Sequence, residues 1–220
     1  MGTPKVTPIT ENRHTGGYVI WDPSDGMLTR EAIILIAGSG LCTAGLVLGG
    51  ETAGGAAVSS ALETNTGNGT IGAITVGPAA QIGEYAVVFD DATHFTVNDP
   101  AGAEVGSGTT GAAFDEDGIG FTITAGATAF AAGDGFTVTT TGTVKFGPWD
   151  PTASDGLAVA RAILWSGSRD ATTSDADAVA NVRGPMRVNA SELIWGANVT
   201  TDAQKAIALA QLEKLTILNT

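Results

Sequence analysis

Between about Thr64 and Thr143 the sequence takes on a texture that favours β structure. Thr and Gly are plentiful, Asp and Val recur, and no Lys or Arg occurs until Lys145. Short apolar runs recur at 72–76, 84–89, 94–97, 120–124 and 134–140, separated by turn-forming stretches such as 98–102 and 114–118. Phe121-Thr-Ile-Thr and Phe136-Thr-Val-Thr alternate an apolar residue with Thr. That is the period of a strand with one face in a core and the other in water. Regular short strands with Gly-rich turns predict a small all-β module, a sandwich or barrel-like fold, over residues 66–144.

Two similar turns bracket this module. Trp149-Asp-Pro-Thr-Ala-Ser-Asp-Gly156 echoes Trp21-Asp-Pro-Ser-Asp-Gly26. The echo suggests one compact unit, residues 18–65 and 145–220, with 66–144 inserted between its halves. Around the first turn, 18–21 reads as a short strand and 30–37 as a stronger one. Residues 44–49 read as a turn leading into another strand, while 51–63, rich in Gly and Ala, carry no clear signal. After the second turn the branched apolar residues of 157–164 predict a strand. Residues 178–183 and 186–188 read as extended runs on either side of Gly184-Pro185. Asn189-Ala-Ser-Glu192 suits a capped helical turn ahead of Leu193, Ile194 and Trp195.

One helix is clear. Thr201 with Gln204 three residues on forms a capping box. Ala203, Ala206, Ile207, Ala210 and Lys214 fall on one side, with Leu209, Leu212 and Leu215 widening the apolar surface. Residues 216–218 then read as a closing strand. The expected fold is mainly β with a minor α component: a compact α+β core carrying an inserted all-β module.

Residues 1–17 contain two prolines and almost nothing to bury. They read as a flexible N-terminal arm that orders on a partner, and their extended, Thr-rich character suits strand addition to a sheet edge.

The composition narrows function. A formal charge of -13, from 23 acidic against 10 basic residues, argues against a nucleic-acid surface, which needs clustered Lys and Arg. Arg161, Arg169, Arg183 and Arg187 come nearest to a local basic patch and read as charges on solvated strands and turns. With 31 Gly the core should be thin and subunit contacts should add stability. The single cysteine, Cys42, gives neither a disulfide framework nor a thiolate ligand set and reads as a small buried apolar residue. The N-terminus lacks a secretion pattern, and the apolar run 32–37 is far too short to cross a bilayer. The expectation is a soluble protein made in a reducing cytoplasm.

Catalytic patterns are missing. Gly67-Asn-Gly-Thr-Ile-Gly72 matches a dinucleotide-binding pattern by letter, but strand-like residues follow where a helix is required. His14 and His94 lack a recognisable second group, and no Gly-x-Ser-x-Gly elbow occurs. Asp90, Asp91, Asp115, Glu116, Asp117 and Asp134 offer oxygen ligands without the spacing of a calcium loop, and read as acidic turns. The chain is expected to be no enzyme, with no cofactor and no metal.

The residues resemble the lambda-type head decoration, or capsid-stabilising, proteins of tailed bacteriophages. The likeness lies in Trp149-Asp with Thr152 and Asp155-Gly156, then Leu157-Ala-Val-Ala-Arg-Ala-Ile-Leu164, Arg183-Gly-Pro-Met-Arg-Val188, Leu193-Ile-Trp195 and the Ala-rich helix from Thr201. Arg30-Glu-Ala-Ile and Ala44-Gly-Leu-Val-Leu-Gly49 resemble longer relatives. The 66–144 module departs from the compact form of that family. The resemblance implies a non-enzymatic homotrimer on the outside of the virion, made in the host cytoplasm. It would sit at three-fold and quasi-three-fold positions of the mature head, clamp the major capsid protein, and touch neither nucleic acid nor membrane. By position in the arm, Val6, Thr7, Pro8, Ile9 and Thr10 would be contact residues, with Tyr18 and Val19 at the hinge into the core. Trp149, Trp165, Trp195, Ile207 and Leu209 are candidates for core or trimer packing. The alternatives are a phage tail or fibre protein whose β module binds a host surface, and a carbohydrate-binding module.

Overall fold

A computed structural model describes residues 14–220. In chain order its strands are β1 (Val19–Trp21), β2 (Arg30–Leu35), β3 (Gly40–Cys42), β4 (Val47–Ala61), β5 (Thr70–Ile71), β6 (Thr75–Val76), β7 (Gly83–Phe89), β8 (His94–Asn98), β9 (Glu104–Thr109), β10 (Ala113–Glu116), β11 (Ile119–Thr124), β12 (Gly135–Pro148), β13 (Ala160–Leu164), β14 (Arg169–Ala171), β15 (Ala176–Asn181), β16 (Met186–Val188) and β17 (Ile217–Asn219). The α-helix among the described residues is α1 (Asp202–Lys214). The fold is mainly β with a minor α component, as expected.

Five strands close on themselves in the order β2-β15-β13-β4-β12. The circle is completed by a parallel pairing of β12 with β2, Lys145 opposite Ile34 and Phe146 opposite Leu35. Alternate residues point inward, so Ile33, Leu35, Leu48, Phe146, Ala162, Leu164, Ala178 and Ala180 share one buried cluster with Cys42 and Leu46. A barrel of so few strands is narrow, which explains the inward alanines. Cys42 is a buried filler, and burial pushes its thiol up.

A second cluster joins the barrel wall to α1 and to a small sheet ordered β1-β16-β17. The capping box forms: Gln204 N donates to Thr201 Oγ1 at 3.3 Å, and Thr201 N donates to Gln204 Oε1 at 3.0 Å. The buried face of α1 is not the one expected. Ala208 and Leu212 are buried, with Leu209 and Leu215 packed beside them, while Ala203, Ala206, Ile207, Ala210 and Lys214 are exposed. The leucines bury more apolar area than the alanines and set the helix rotation.

A third cluster is rich in aromatic residues. Beyond the barrel the sheet continues as β4-β12-β7-β8-β9, and its side chains meet those of β10 and β11. Phe89 and Phe130 stack with centroids 3.9 Å apart, and Phe114 and Phe121 at 5.1 Å. Of residues 72–76, expected as one strand, only Thr75 and Val76 form one, β6; β5 lies just ahead of them, and both pair with β11. The Gly67–Gly72 pattern is a packing device: a Cβ on Gly67 or Gly69 would lie 2.6 or 2.5 Å from the Phe130 ring. The strands β9 and β10 were not foreseen.

β4 and β12 run through both the barrel and the aromatic cluster, paired from Leu48 opposite Pro148 to Ala61 opposite Phe136. Between Ala53 and Ala56 the register shifts against Thr141 and Thr143, and Gly54 takes φ of 62° there, a bulge that bends the ladder. The Gly- and Ala-rich stretch 51–63 lies almost wholly within β4.

The two Trp-Asp-Pro turns share one hydrogen-bond pattern. Asp22 Oδ1 accepts from Ser24 N at 2.9 Å and Ser24 Oγ at 2.8 Å, and Asp150 Oδ1 accepts from Thr152 N at 2.9 Å and Thr152 Oγ1 at 2.7 Å. The same Asx-x-Ser/Thr turn recurs at Asp91, Asp170 and Asn189. The leading tryptophans differ. Trp149 is buried and its Nε1 donates to Ala158 O at 2.9 Å, whereas Trp21 is half exposed.

Candidate functional site

Val6, Thr7, Pro8, Ile9 and Thr10 lie outside the described residues. The segment that follows them is held by the core. Gly17 N donates to His14 O at 3.1 Å and Val19 N to Gly16 O at 2.9 Å, closing a tight turn over residues 14–19. Gly16 has φ of 72°, and a Cβ there would fall 2.1 Å from the Trp165 ring, so only glycine lets the chain cross that indole. Over the same ring lies the Arg30 guanidinium, 3.3 Å from the centroid. Residues 14–17, placed in the flexible arm by the sequence reading, thus form a turn against Trp165.

Tyr18 is 2 % exposed and its hydroxyl donates to Ile163 O at 3.3 Å. Burial pushes its phenol far up, and the Arg30 charge draws it only partly back. Its side chain therefore anchors the arm root from inside. Val19 is half-buried opposite Val188. Trp165 and Leu209 are half-buried, and Trp195 sits edge-on to buried Trp149 at 6.3 Å. Ile207 is 53 % exposed, so core packing is not its role in the single chain.

Next to this root the outer face of the small sheet carries a row that sequence reasoning missed. Trp21 stands opposite Arg187, and Arg187 opposite Leu218, all three exposed. Met27 and Leu28 are 87 % and 64 % exposed on the adjoining loop, and Ile20 is exposed as well. That loop is fixed from below. Thr29 Oγ1 donates to Asp22 Oδ2 at 2.6 Å, Arg183 Nε donates to Leu28 O at 2.9 Å, and Arg183 pairs with Glu31. Burial favours the protonated Asp22 carboxyl, but the bonds from Thr29 and Ser24 outweigh it and hold the group below its usual range. Large apolar side chains exposed on a hydrogen-bonded support make this face the candidate interaction surface. The signal in sequence was the echo itself, since one of two matching tryptophans had no core to enter.

His94 Nδ1 lies 2.8 Å from Asp91 Oδ2, with both side chains more than half exposed. Asp91 is held well below the carboxylate range by the backbone N–H groups of His94 and Thr93. Among the described residues no group of three or more His, Cys, Asp or Glu is placed to hold a metal ion. Arg169 donates to Asp177 O at 3.2 Å and Arg187 is exposed. Arg161 is half-buried, and that burial draws its guanidinium down.

The family model described as bacteriophage lambda head decoration protein D matches residues 119–217. The match runs from the start of β11 to the start of β17 and so contains the barrel strands β12, β13 and β15, together with α1; residues 18–63 lie outside it. No curated protein matches the sequence. Among solved structures, FlgL of Xanthomonas campestris is 26% identical over 47% of this chain and 34% of its own, with a TM-score of 0.33. The flagellar hook junction protein FlgK of Burkholderia pseudomallei is 25% identical over 53% of this chain and 21% of its own, with a TM-score of 0.33. The chain thus spans about a third and a fifth of those proteins' lengths, a likeness that carries no argument. Over residues 119–217, a little under half of its length, the chain is similar to the bacteriophage lambda head decoration protein D family.

Proposed function

We propose that the protein is a non-enzymatic cement protein. It binds as a homotrimer on the outer surface of the mature head, at three-fold and quasi-three-fold positions, and stabilises the shell against the pressure of packed DNA. The observation that supports this reading most directly is the exposed row Trp21, Arg187 and Leu218 beside the anchored root of the arm. β1 is an edge strand of its sheet, so an arm leaving it lies close to unpaired backbone groups. In this reading residues 6–10 add a strand to the major capsid protein while the apolar row docks beside it. Three arms on one trimer raise avidity without strong single contacts. The acidic surface keeps many copies soluble and off the packaged DNA.

The test is co-sedimentation with expanded, undecorated heads of the cognate phage. Full-length protein, a version lacking residues 1–13, and the double variant Trp21→Lys, Leu218→Lys are compared. Saturation at three copies per local three-fold, lost in both altered forms while their folding is unchanged, supports the reading. Failure of the full-length protein to bind heads overturns it.

A further inference from the structure

Arg161 leaves the start of β13 and enters a cleft of about 600 Å³ lined also by Val159, Val182, Gln211, Lys214 and Leu215. Arg161 and Val182 line an adjoining hollow of about 400 Å³ that Arg183 borders as well. Two of the ten Lys and Arg residues of a chain with net charge -13, Arg161 and Lys214, thus line one cleft, while Arg183 in the adjoining hollow is paired with Glu31.

The chemistry of Arg161 is unfinished. A guanidinium presents five N–H donors in a planar fork, and those of half-buried Arg161 remain in reach of solvent and of a ligand in the cleft. Arg161 feels the attractive charge of Asp117 through space, yet among the described residues it makes no hydrogen bond and no ion pair. Gln211 Oε1 accepts from Ala160 N at 2.7 Å, which commits its carbonyl end to the backbone and leaves its NH2 group as a donor in the cleft. Lys214 adds an exposed ammonium at the rim. Between these donors the wall is apolar, from Val159, Val182 and Leu215. A mostly apolar cavity of this size with a few convergent polar groups is the form of a small-molecule site.

We propose that this cleft binds a small organic carboxylate with an apolar body. The carboxylate sits bidentate on the Arg161 fork, with the Gln211 NH2 group and Lys214 as further donors, and the body lies on Val159, Val182 and Leu215. The negative field of the whole protein works against bare anions, so the apolar wall carries part of the binding. The site is independent of the capsid-facing row and stands or falls apart from it.

Benzoate, benzamide and inorganic phosphate are titrated into the full-length, 15N-labelled protein, with the Arg161 Nε–Hε and Gln211 Nε2 resonances as the readout. Saturable shifts of both with benzoate, at least tenfold weaker with benzamide and with phosphate, are expected. Arg161→Gln weakens benzoate at least tenfold. Should that variant fail to fold, Lys214→Gln, on an exposed position, weakens benzoate severalfold while leaving benzamide unchanged. Absence of shifts with benzoate, equal shifts with benzamide, or phosphate binding as tightly as benzoate overturns the proposal.

Discussion

The Arg30 guanidinium rests 3.3 Å from the centre of the Trp165 ring and so ties the start of β2 to the end of β13 at the point where the N-terminal arm leaves the barrel. A partly desolvated cation–π contact of this kind contributes about 1–2 kcal/mol. Arg30→Gln and Trp165→Leu should each lower stability by about that amount, measured by urea denaturation. The double variant should lose less than the sum, because both changes remove the same contact.

Gly16 tests the arm root separately. With φ of 72° and the Trp165 ring 2.1 Å from any added Cβ, Gly16→Val must lift the 14–17 turn off the indole. The expected result is faster proteolytic cleavage ahead of Val19 and weaker head binding, with the unfolding midpoint of the barrel nearly unchanged. A large drop in that midpoint would show that the turn is integral to the core.

The narrow barrel makes its alanines demanding. Ala162 is fully buried, so Ala162→Leu should overpack the interior and cost about 1–3 kcal/mol. Leu48→Ala removes volume from the same cluster and should cost about 2–5 kcal/mol. Calorimetric melting checks both.

Asp134 links stability to pH. Its carboxylate accepts from the backbone N–H groups of Thr66, Gly67 and Ala131, which hold it at about 2 against 3.8 for a free carboxyl. A group depressed in the folded state adds stability above its unfolded value and loses it as pH falls through its folded value. Asp134→Asn should therefore melt lower than the parent at neutral pH. The gap should narrow from about pH 4 downward and close near pH 2 in a series of melts.

Thr201 closes the capping box of α1, so Thr201→Ala should cost about 1 kcal/mol, read in the same denaturation assay.

Local chemistry was the legible part of the sequence. Thr201 with Gln204, the Asp-Pro-Ser and Asp-Pro-Thr turns, and the alternation at Phe136 each act within a few residues of themselves. Residues 51–63 were illegible because Gly and Ala carry little strand preference, and their partner β12 lies about 80 residues downstream. The burial of Ala208 and Leu212 rather than Ala206 and Ile207 depends on the sheet beneath α1, which no helical period contains. At the candidate site, Tyr18 and Trp165 stood out by residue type, but the Gly16 turn and the row of Trp21, Arg187 and Leu218 join segments more than 140 residues apart. Arg161 looked like any strand charge, because the cleft it lines is built from β13 and from residues 182 and 211–215, well apart in the chain.

The unbroken course of β4 and β12 has a mechanical meaning. A pull on the aromatic cluster along these strands loads their shared hydrogen bonds together, in shear, instead of unzipping them one pair at a time. The cluster is then a stiff mast stepped into the barrel, with the bulge at Gly54 setting its lean. A passenger fused at the Asp91–Thr93 tip between β7 and β8 would ride at a fixed attitude, and a particle carrying many such masts would present its passengers in one orientation.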